Sequence, residues 1–372
     1  MPTRVIKVTD SEQAAEAAEA GARALRKGQL VAFATETVYG IAALATSGPA
    51  MQRLRELKER PTQPFSVHLG RPADARRYVK KLPDSAKRLI AKAWPGPVTI
   101  LAPTGGRLAD AKLRRRKGLY ESLCSADRVG LRCPDEPVAL AMLSKLSLPV
   151  VAPSANLAGH RSPRTGDDVL ACLDGRIDLL IDSGPTRHGT DSTIVSCDAD
   201  GWTVAREGVF SEAAVRRMLT RTLLLVCTGN TCRSAMAGGL AGHILAERLG
   251  CEDRLLPDRG VRVLSAGVYA MDGGRATPDA VAAAAELGAD ISRHRSRMLT
   301  RELIQQADLV LCMTDSHVAA AVSLAPEHAE NVRRLDPGGD VPDPVGGGPA
   351  VYRKAARKID TALRAALAKG LP

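Results

Sequence analysis

The stretch Leu223-Leu224-Leu225-Val226-Cys227-Thr228-Gly229-Asn230-Thr231-Cys232-Arg233-Ser234-Ala235-Met236-Ala237 decides the fold of the second half of this chain. Four apolar residues read as a buried strand, Gly229-Asn230 as a tight turn, and the small residues after Arg233 as the opening of a helix. A strand, loop and helix in this order aim backbone N–H groups and a helix N-terminus at one point, where an anion such as phosphate can sit. Cys227, at the start of the loop, lies in that positive field, which favours the thiolate and makes it a nucleophile. Arg233, five intervening residues later, offers a planar fork to two phosphate oxygens. Ser234 can donate a hydrogen bond to the thiolate when it leaves. The spacing alone favours a buried strand-end cysteine and a solvated arginine; the strand before it, the Gly229-Asn230 turn inside it and Asp343-Pro344 downstream reverse that. In Val341-Pro342-Asp343-Pro344-Val345-Gly346-Gly347-Gly348, Asp343 supplies a general acid on a segment whose glycines permit movement.

From about Thr222 onward the chain resembles the low-molecular-weight protein phosphatases. The resemblance rests on the Cys227–Ser234 string, Ser265-Ala266-Gly267 and Asp343-Pro344, in that order. It implies Cys227 as nucleophile, Arg233 as transition-state binder and Asp343 as general acid, with Thr228, Gly229, Asn230, Thr231, Cys232 and Ser234 forming the phosphate loop. It also implies a phosphocysteine intermediate and no metal or cofactor. Tyrosine-specific members carry a bulky aliphatic residue where Thr231 stands, and an aromatic one where Val345 stands. The strings around Cys227 and Ser265-Ala266-Gly267-Val268 are similar to the protein-arginine phosphatase branch. Phosphoarginine in a phosphoprotein is therefore the favoured substrate, with phosphotyrosine the alternative. An arsenate-reductase reading needs a downstream redox pair of cysteines; Cys312 is in place, but Ala319 occupies the partner position, and Cys312 reads better as a core strand residue. Cys232 is placed to form a protective disulfide with Cys227 under oxidation.

The first half is a different protein. At 372 residues and 45% hydrophobic content the chain can bury two cores. The boundary falls near Thr220, giving domains over 1–218 and 221–372 with almost no linker and no internal repeat. Eight cysteines without a CxxC pair indicate neither a zinc site nor a secreted disulfide framework. No stretch is apolar over the ~18 or more residues a membrane span requires, and the N-terminus lacks a signal-peptide core. A cytoplasmic protein with no membrane partner is expected. The net charge of +11 suits phosphate-bearing partners, while 3% aromatic residues argue against single-strand RNA binding by stacking.

Within this half a helix around Ala14–Lys27 leads to a strand at Leu30–Ala34, and a second helix lies near Ala50–Leu57. Further strands are expected at Pro149–Ala152, Leu179–Ile181 and Thr193–Val195, with a last helix over Ser211–Leu219. Alternating strands and helices indicate an α/β class. Polar clusters punctuate the strand ends, the usual place for α/β sites. Lys58 and Arg60 close a helix, where the plain reading is a C-terminal cap. Pro153-Ser154-Ala155-Asn156 follows a strand directly, and alone would be a turn or helix cap. Trp94-Pro95-Gly96-Pro97 reads as a rigid turn, and the basic run 112–117 as an exposed loop or helix face.

Five strings, Thr35-Glu36-Thr37-Val38-Tyr39-Gly40, Lys58-x-Arg60, Trp94-Pro95-Gly96-Pro97, Pro153-Ser154-Ala155-Asn156 and Ser192-Thr193, together resemble the YrdC-like threonylcarbamoyl-AMP synthases over about the first 215 residues. The resemblance implies a YrdC-like twisted mixed-sheet α/β domain, followed here by the Rossmann-like parallel-sheet phosphatase domain. It also implies that L-threonine, bicarbonate and ATP, with Mg²⁺ sharing the triphosphate charge, become threonylcarbamoyl-AMP for the modification of adenosine 37 in tRNA. Lys58, Arg60, Ser154, Asn156, Ser162 and Arg206 match the ATP contacts; Thr35, His68, Arg132 and Ser192 match the threonine contacts, Arg132 meeting the carboxylate. No protein metal site is expected. tRNA or tRNA-modification proteins are expected partners, and a non-catalytic double-stranded RNA or tRNA module is the alternative for this half. Some members carry a further C-terminal domain on a linker that closes over the site; here the phosphatase-like domain takes that position.

Overall fold

The computed structural model describes residues 2–368 and 371. The chain divides into two compact units, Met1–Leu219 and Thr220–Pro372.

The first unit is built on a mixed sheet of eleven strands among the described residues. Its central run places Val31–Phe33, Gly40–Leu44, Val150–Val151, Val67–His68, Arg128–Arg132, Val98–Pro103 and Thr193–Cys197 side by side. Alternation along the strands divides the core in two. Val31, Phe33, Ala42 and Leu44 pack on the helices Ser11–Arg26 and Pro137–Ser144, while Ala32, Ile41 and Ala43 face the opposite layer with Leu54 and Leu89. Because side chains alternate across a pleat, each polar residue at a strand end is aimed by the register of the apolar ones before it. The paired register His68↔Arg132 brings those two side by side.

The sequence expectations need small changes in this unit. The second helix runs Gly48–Lys58, capped by Ser47 and stopped by Glu59 in the left-handed region. The strand expected over Leu30–Ala34 is Val31–Phe33, an earlier strand forms at Arg4–Lys7, and the last helix starts at Glu212. The basic run becomes one helical turn, Ala111–Arg114, followed by exposed residues.

The second unit is a four-stranded parallel sheet in the order Val261–Gly267, Arg221–Cys227, Leu309–Cys312, Val332–Arg334. Leu223, Leu225 and Cys227 face the layer containing the helices Arg233–Leu249 and Pro349–Leu367; Leu224 and Val226 face the other layer. The next strand in sequence lies on one side of Arg221–Cys227 and the one after it on the other. Cys227 therefore ends its strand at the switch point, where the flanking connections diverge and leave a crevice. Gly267 closes the neighbouring strand against this loop. A Cβ there would overlap the Thr228 carbonyl oxygen and come within 2.9 Å of Asn230 N and Ala270 Cβ.

Gly267→Ala should therefore displace the loop backbone. Overpacking of this kind costs about 1–3 kcal/mol, so the melting transition of this unit should move down and inorganic phosphate should bind more weakly. A variant with an unchanged melt and unchanged phosphate affinity would show that the close approach is not needed.

Candidate active sites

The loop after Cys227 is held from inside by Asn230. This residue is fully buried with φ of 54°, a conformation that asparagine tolerates better than most residues. Its Nδ2 donates to Ser234 Oγ at 2.8 Å and to Ser265 Oγ at 2.9 Å, and its Oδ1 accepts from Arg297 N at 2.9 Å. A carbonyl-side contact, His294 Nε2 to Asn230 O at 2.7 Å, closes the circle. Cys227, only 2% exposed, has Sγ 2.9 Å from Ser234 Oγ and accepts from Asn230 N–H at 3.3 Å. Asn230 N–H donates to the sulfur, and Ser234 Oγ, which also lies 3.3 Å from Ala266 O, is within hydrogen-bond reach of it; contacts of this kind stabilise a buried thiolate.

Arg233 is the first residue of the Arg233–Leu249 helix and is nearly buried. Its Nη2 donates to Thr228 Oγ1 at 3.2 Å and pairs with Asp343 Oδ2, while Nη1 reaches Val341 O at 3.3 Å. The residues read from sequence as nucleophile, anion clamp and proton donor are thus brought together. Thr231 is half-buried at the loop, and Val345 is exposed beside Asp343. Cys232 turns elsewhere: its sulfur lies 3.4 Å from both Tyr352 OH and Thr277 Oγ1. All eight cysteines are free. Cys312 is fully buried in the sheet layer opposite Cys227, a core residue whose thiol burial pushes up to about 12.

In the first unit the polar residues form three neighbouring clusters. Lys58 does not cap its own helix. Its Nζ donates to Asn156 O at 2.8 Å, Asn156 Oδ1 at 2.9 Å and Ser154 O at 3.1 Å. Burial, and then the Arg60 charge, lowers the Lys58 ammonium to about 8, with Asp191 pulling the other way. Arg60 is exposed and lines a cavity of about 1100 Å³ with Arg55, Arg115, Arg116 and Lys117. The basic run is therefore part of a concave cationic surface as well as solvated.

The second cluster centres on Asp191. Ser162 Oγ donates to it at 3.0 Å, and Arg206 lies 3.8 Å away while donating to Ser192 O at 2.8 Å. Ser192 Oγ sits 2.9 Å from Thr99 Oγ1. The third cluster is Arg132, whose Nη2 meets Glu36 Oε1 at 3.0 Å, Thr37 Oγ1 at 2.6 Å and Thr35 Oγ1 at 3.4 Å. Arg132 Nε is buried without a hydrogen-bond partner among the described residues, an unmet donor in the middle of the site. His68 is buried, and burial followed by the Arg132 charge lowers it to about 3; its Nδ1 faces Ser66 O at 3.3 Å, leaving neutral Nε2 to accept. The 35–40 segment joins the clusters, since Ala155 N donates to Tyr39 O, Tyr39 N to Pro163 O and His188 N to Glu36 O.

Sequence reasoning gives no role to Glu36, Thr37, His294 and His317. Glu36 and Thr37 show no partner in the linear sequence, because Arg132 reaches them only across the sheet.

Comparison with known proteins follows the same division. A Sua5/YciO/YrdC family model, described as telomere recombination, matches residues 23–208, and a low molecular weight phosphotyrosine protein phosphatase model matches residues 222–371. The chain belongs to both families. Threonylcarbamoyl-AMP synthase of Bacillus subtilis is 36% identical over 212 residues, covering 57% of this chain and 58% of that protein. A second such synthase, from Pyrococcus abyssi, is matched over 48% of its length, so the chain spans only about half of these synthase relatives. Protein-arginine-phosphatase of Bacillus subtilis is 41% identical over 147 residues, covering 38% of this chain and 91% of that protein. A solved structure of Pyrococcus abyssi Sua5 shares the fold at 22% identity, with a TM-score of 0.51 over 71% of this chain and 91% of its own. Among the described residues no helix is long and apolar enough to cross a membrane.

The lowered Lys58 gives a test of the Sua5-type site. Burial favours the neutral amine, so its charge is lost as pH rises through about 8 rather than at the ordinary 10.5. Affinity of the free protein for a nucleoside triphosphate should fall over that interval. Binding that stays flat to about pH 9.5 would place the phosphate-holding charge elsewhere.

Proposed function

We propose that the chain is a bifunctional enzyme: a synthase that joins L-threonine, bicarbonate and ATP into threonylcarbamoyl-AMP and pyrophosphate, and a cysteine phosphatase that acts on phosphoproteins. The observation that carries the second half is the meeting of Cys227, Ser234, Asn230, Arg233 and Asp343 around one loop.

In the phosphatase step the Cys227 thiolate attacks phosphorus while the bond to the leaving nitrogen or oxygen breaks, and Asp343 gives that atom its proton. Arg233 turns from Asp343 to the phosphoryl oxygens, which frees the carboxyl for this work. Water then attacks the phosphocysteine with Asp343 taking its proton, and the departing sulfur keeps its hydrogen bonds to Ser234 and Asn230. Phosphoarginine is the favoured substrate. Thr231 can accept from a guanidinium but cannot wall in a phenyl ring as a large aliphatic side chain does, and a relative of this half matched over 91% of its own length is a protein-arginine-phosphatase.

In the synthase, Lys58 and Arg60 neutralise the triphosphate, with Ser154, Asn156, Ser162 and Arg206 around the nucleotide. Among the described residues no group of three or more His, Cys, Asp or Glu side chains could hold a metal ion. Mg²⁺ would share the triphosphate charge with these cations. The unmet Nε–H of Arg132 suits a threonine carboxylate, and Thr35, neutral His68 and Ser192 offer it hydroxyl and imidazole partners. The product would serve threonylcarbamoylation of tRNA in the cytoplasm.

Two assays test this reading on the full chain. Pyrophosphate should appear only when threonine and bicarbonate are both present. Salt-sensitive RNA binding without such release would favour an RNA-binding module instead. Phosphate should be released faster from phosphoarginine than from phosphotyrosine peptides, and not at all by Cys227→Ser. The reverse preference would keep the mechanism and overturn the substrate.

A further inference from the structure

We propose that His317 is a positioning residue of the phosphatase centre, locking the Thr228 hydroxyl and through it the Arg233 guanidinium; this rests on the reading of Cys227 as a phosphatase nucleophile. His317 lies in the first turn of the helix Asp315–Leu324, which follows the strand Leu309–Cys312. That strand pairs with the nucleophile strand at Leu225↔Leu311 and Val226↔Cys312, and Met313 N donates to Val226 O. Sheet register therefore carries the imidazole to the phosphate loop, where it is 4% exposed.

The ring is held at both nitrogens. Nδ1 lies 2.7 Å from Thr314 Oγ1, and Nε2 lies 2.9 Å from Thr228 Oγ1. Thr314 is itself fixed as the helix cap, accepting from His317 N at 3.3 Å. Thr228 Oγ1 accepts from Arg233 Nη2, the nitrogen that also meets Asp343. A single line of contacts thus runs Thr314, His317, Thr228, Arg233, Asp343.

The proton count closes. Thr228 has one proton and two lone pairs, and Arg233 takes one lone pair. The imidazole either accepts the Thr228 proton while Nδ1–H donates to Thr314, or donates to the second lone pair while Nδ1 accepts. Burial and then the Arg233 charge hold the imidazole below its ordinary range, against the opposing pull of Asp343 and Asp340. Asp315, on the same helix, is paired with Arg334.

The consequence is catalytic. A free threonine hydroxyl samples three rotamers, and arginine has many. A clamp on a transferring phosphoryl group works only when it is already in place. A histidine that merely filled the helix start would affect stability and have no coupling to Thr228.

A double-mutant cycle separates these roles. The full-chain wild type, His317→Ala, Thr228→Val and the double variant are assayed for kcat and KM on para-nitrophenyl phosphate and for orthovanadate affinity, with melting curves for each. His317→Ala should lower kcat about ten-fold with KM nearly unchanged, and the double variant should be no worse than either single one. His317→Gln, which restores one partner for Thr228, should recover part of the loss and guards against a folding defect. Effects that multiply in the double variant, or an unaltered kcat in a folded His317→Ala, would overturn the inference. A wild type that binds vanadate without turnover would sink the phosphatase reading. The vanadate cycle would still decide the coupling: non-additive losses uphold it and multiplicative ones refute it. A wild type that binds no vanadate would overturn both.

Discussion

Buried positive charge is the constraint on which both units depend. Among the described residues, Lys58, Arg132 and Arg233 are the buried lysine and arginine residues, at 6%, 5% and 5% exposed. Taking such a group out of water costs several kcal/mol unless partners replace the solvent. Each here has partners, and in each case the match is incomplete: only neutral oxygens at Lys58, an unmet N–H at Arg132, a half-exposed carboxylate at Arg233. Lys58 is held in direct contact only by neutral oxygens of Ser154 and Asn156. Arg132 has the Glu36 carboxylate but one unmet N–H. Arg233 has Asp343, whose side chain is half exposed and sits on a glycine-rich turn. A buried cation whose hydrogen bonds are incompletely met, or whose partner carboxylate faces solvent, can take up an anion.

The folds explain how such charges are tolerated. In the second unit the parallel sheet delivers Cys227 to a switch point, and the Arg233–Leu249 helix begins there with its unpaired N–H groups. In the first unit the mixed sheet sets His68 beside Arg132 and carries the 35–40 segment across to the Ser154–Asn156 turn. Neither site is a lone motif on a loop. Each is a set of strand ends whose direction is fixed by an apolar core on both faces.

Local chemistry was readable in the sequence where one short string contains the whole device. The Cys227–Ser234 loop is such a case, because strand, turn and helix start are contiguous. Contacts that close across the sheet were not readable. Lys58 looked like a cap of its own helix, since nothing near it in sequence shows the Asn156 carbonyl waiting 98 residues away. His317 gave no signal, because its partner Thr228 is 89 residues distant and the pairing exists only through the register of two parallel strands. The strands' apolar runs are legible; which strand lies beside which depends on crossover topology, and such runs carry no record of that.

The central claim is that two anion sites, each organised around its own buried cation, serve two reactions in one chain. The most direct test measures pyrophosphate release and phosphopeptide hydrolysis on single preparations of the wild type, Lys58→Ala and Cys227→Ser. Pyrophosphate release should be lost in Lys58→Ala, and phosphopeptide hydrolysis in Cys227→Ser, each by at least about a hundred-fold. Pyrophosphate release that survives in Lys58→Ala, or phosphopeptide hydrolysis that survives in Cys227→Ser, would contradict the account.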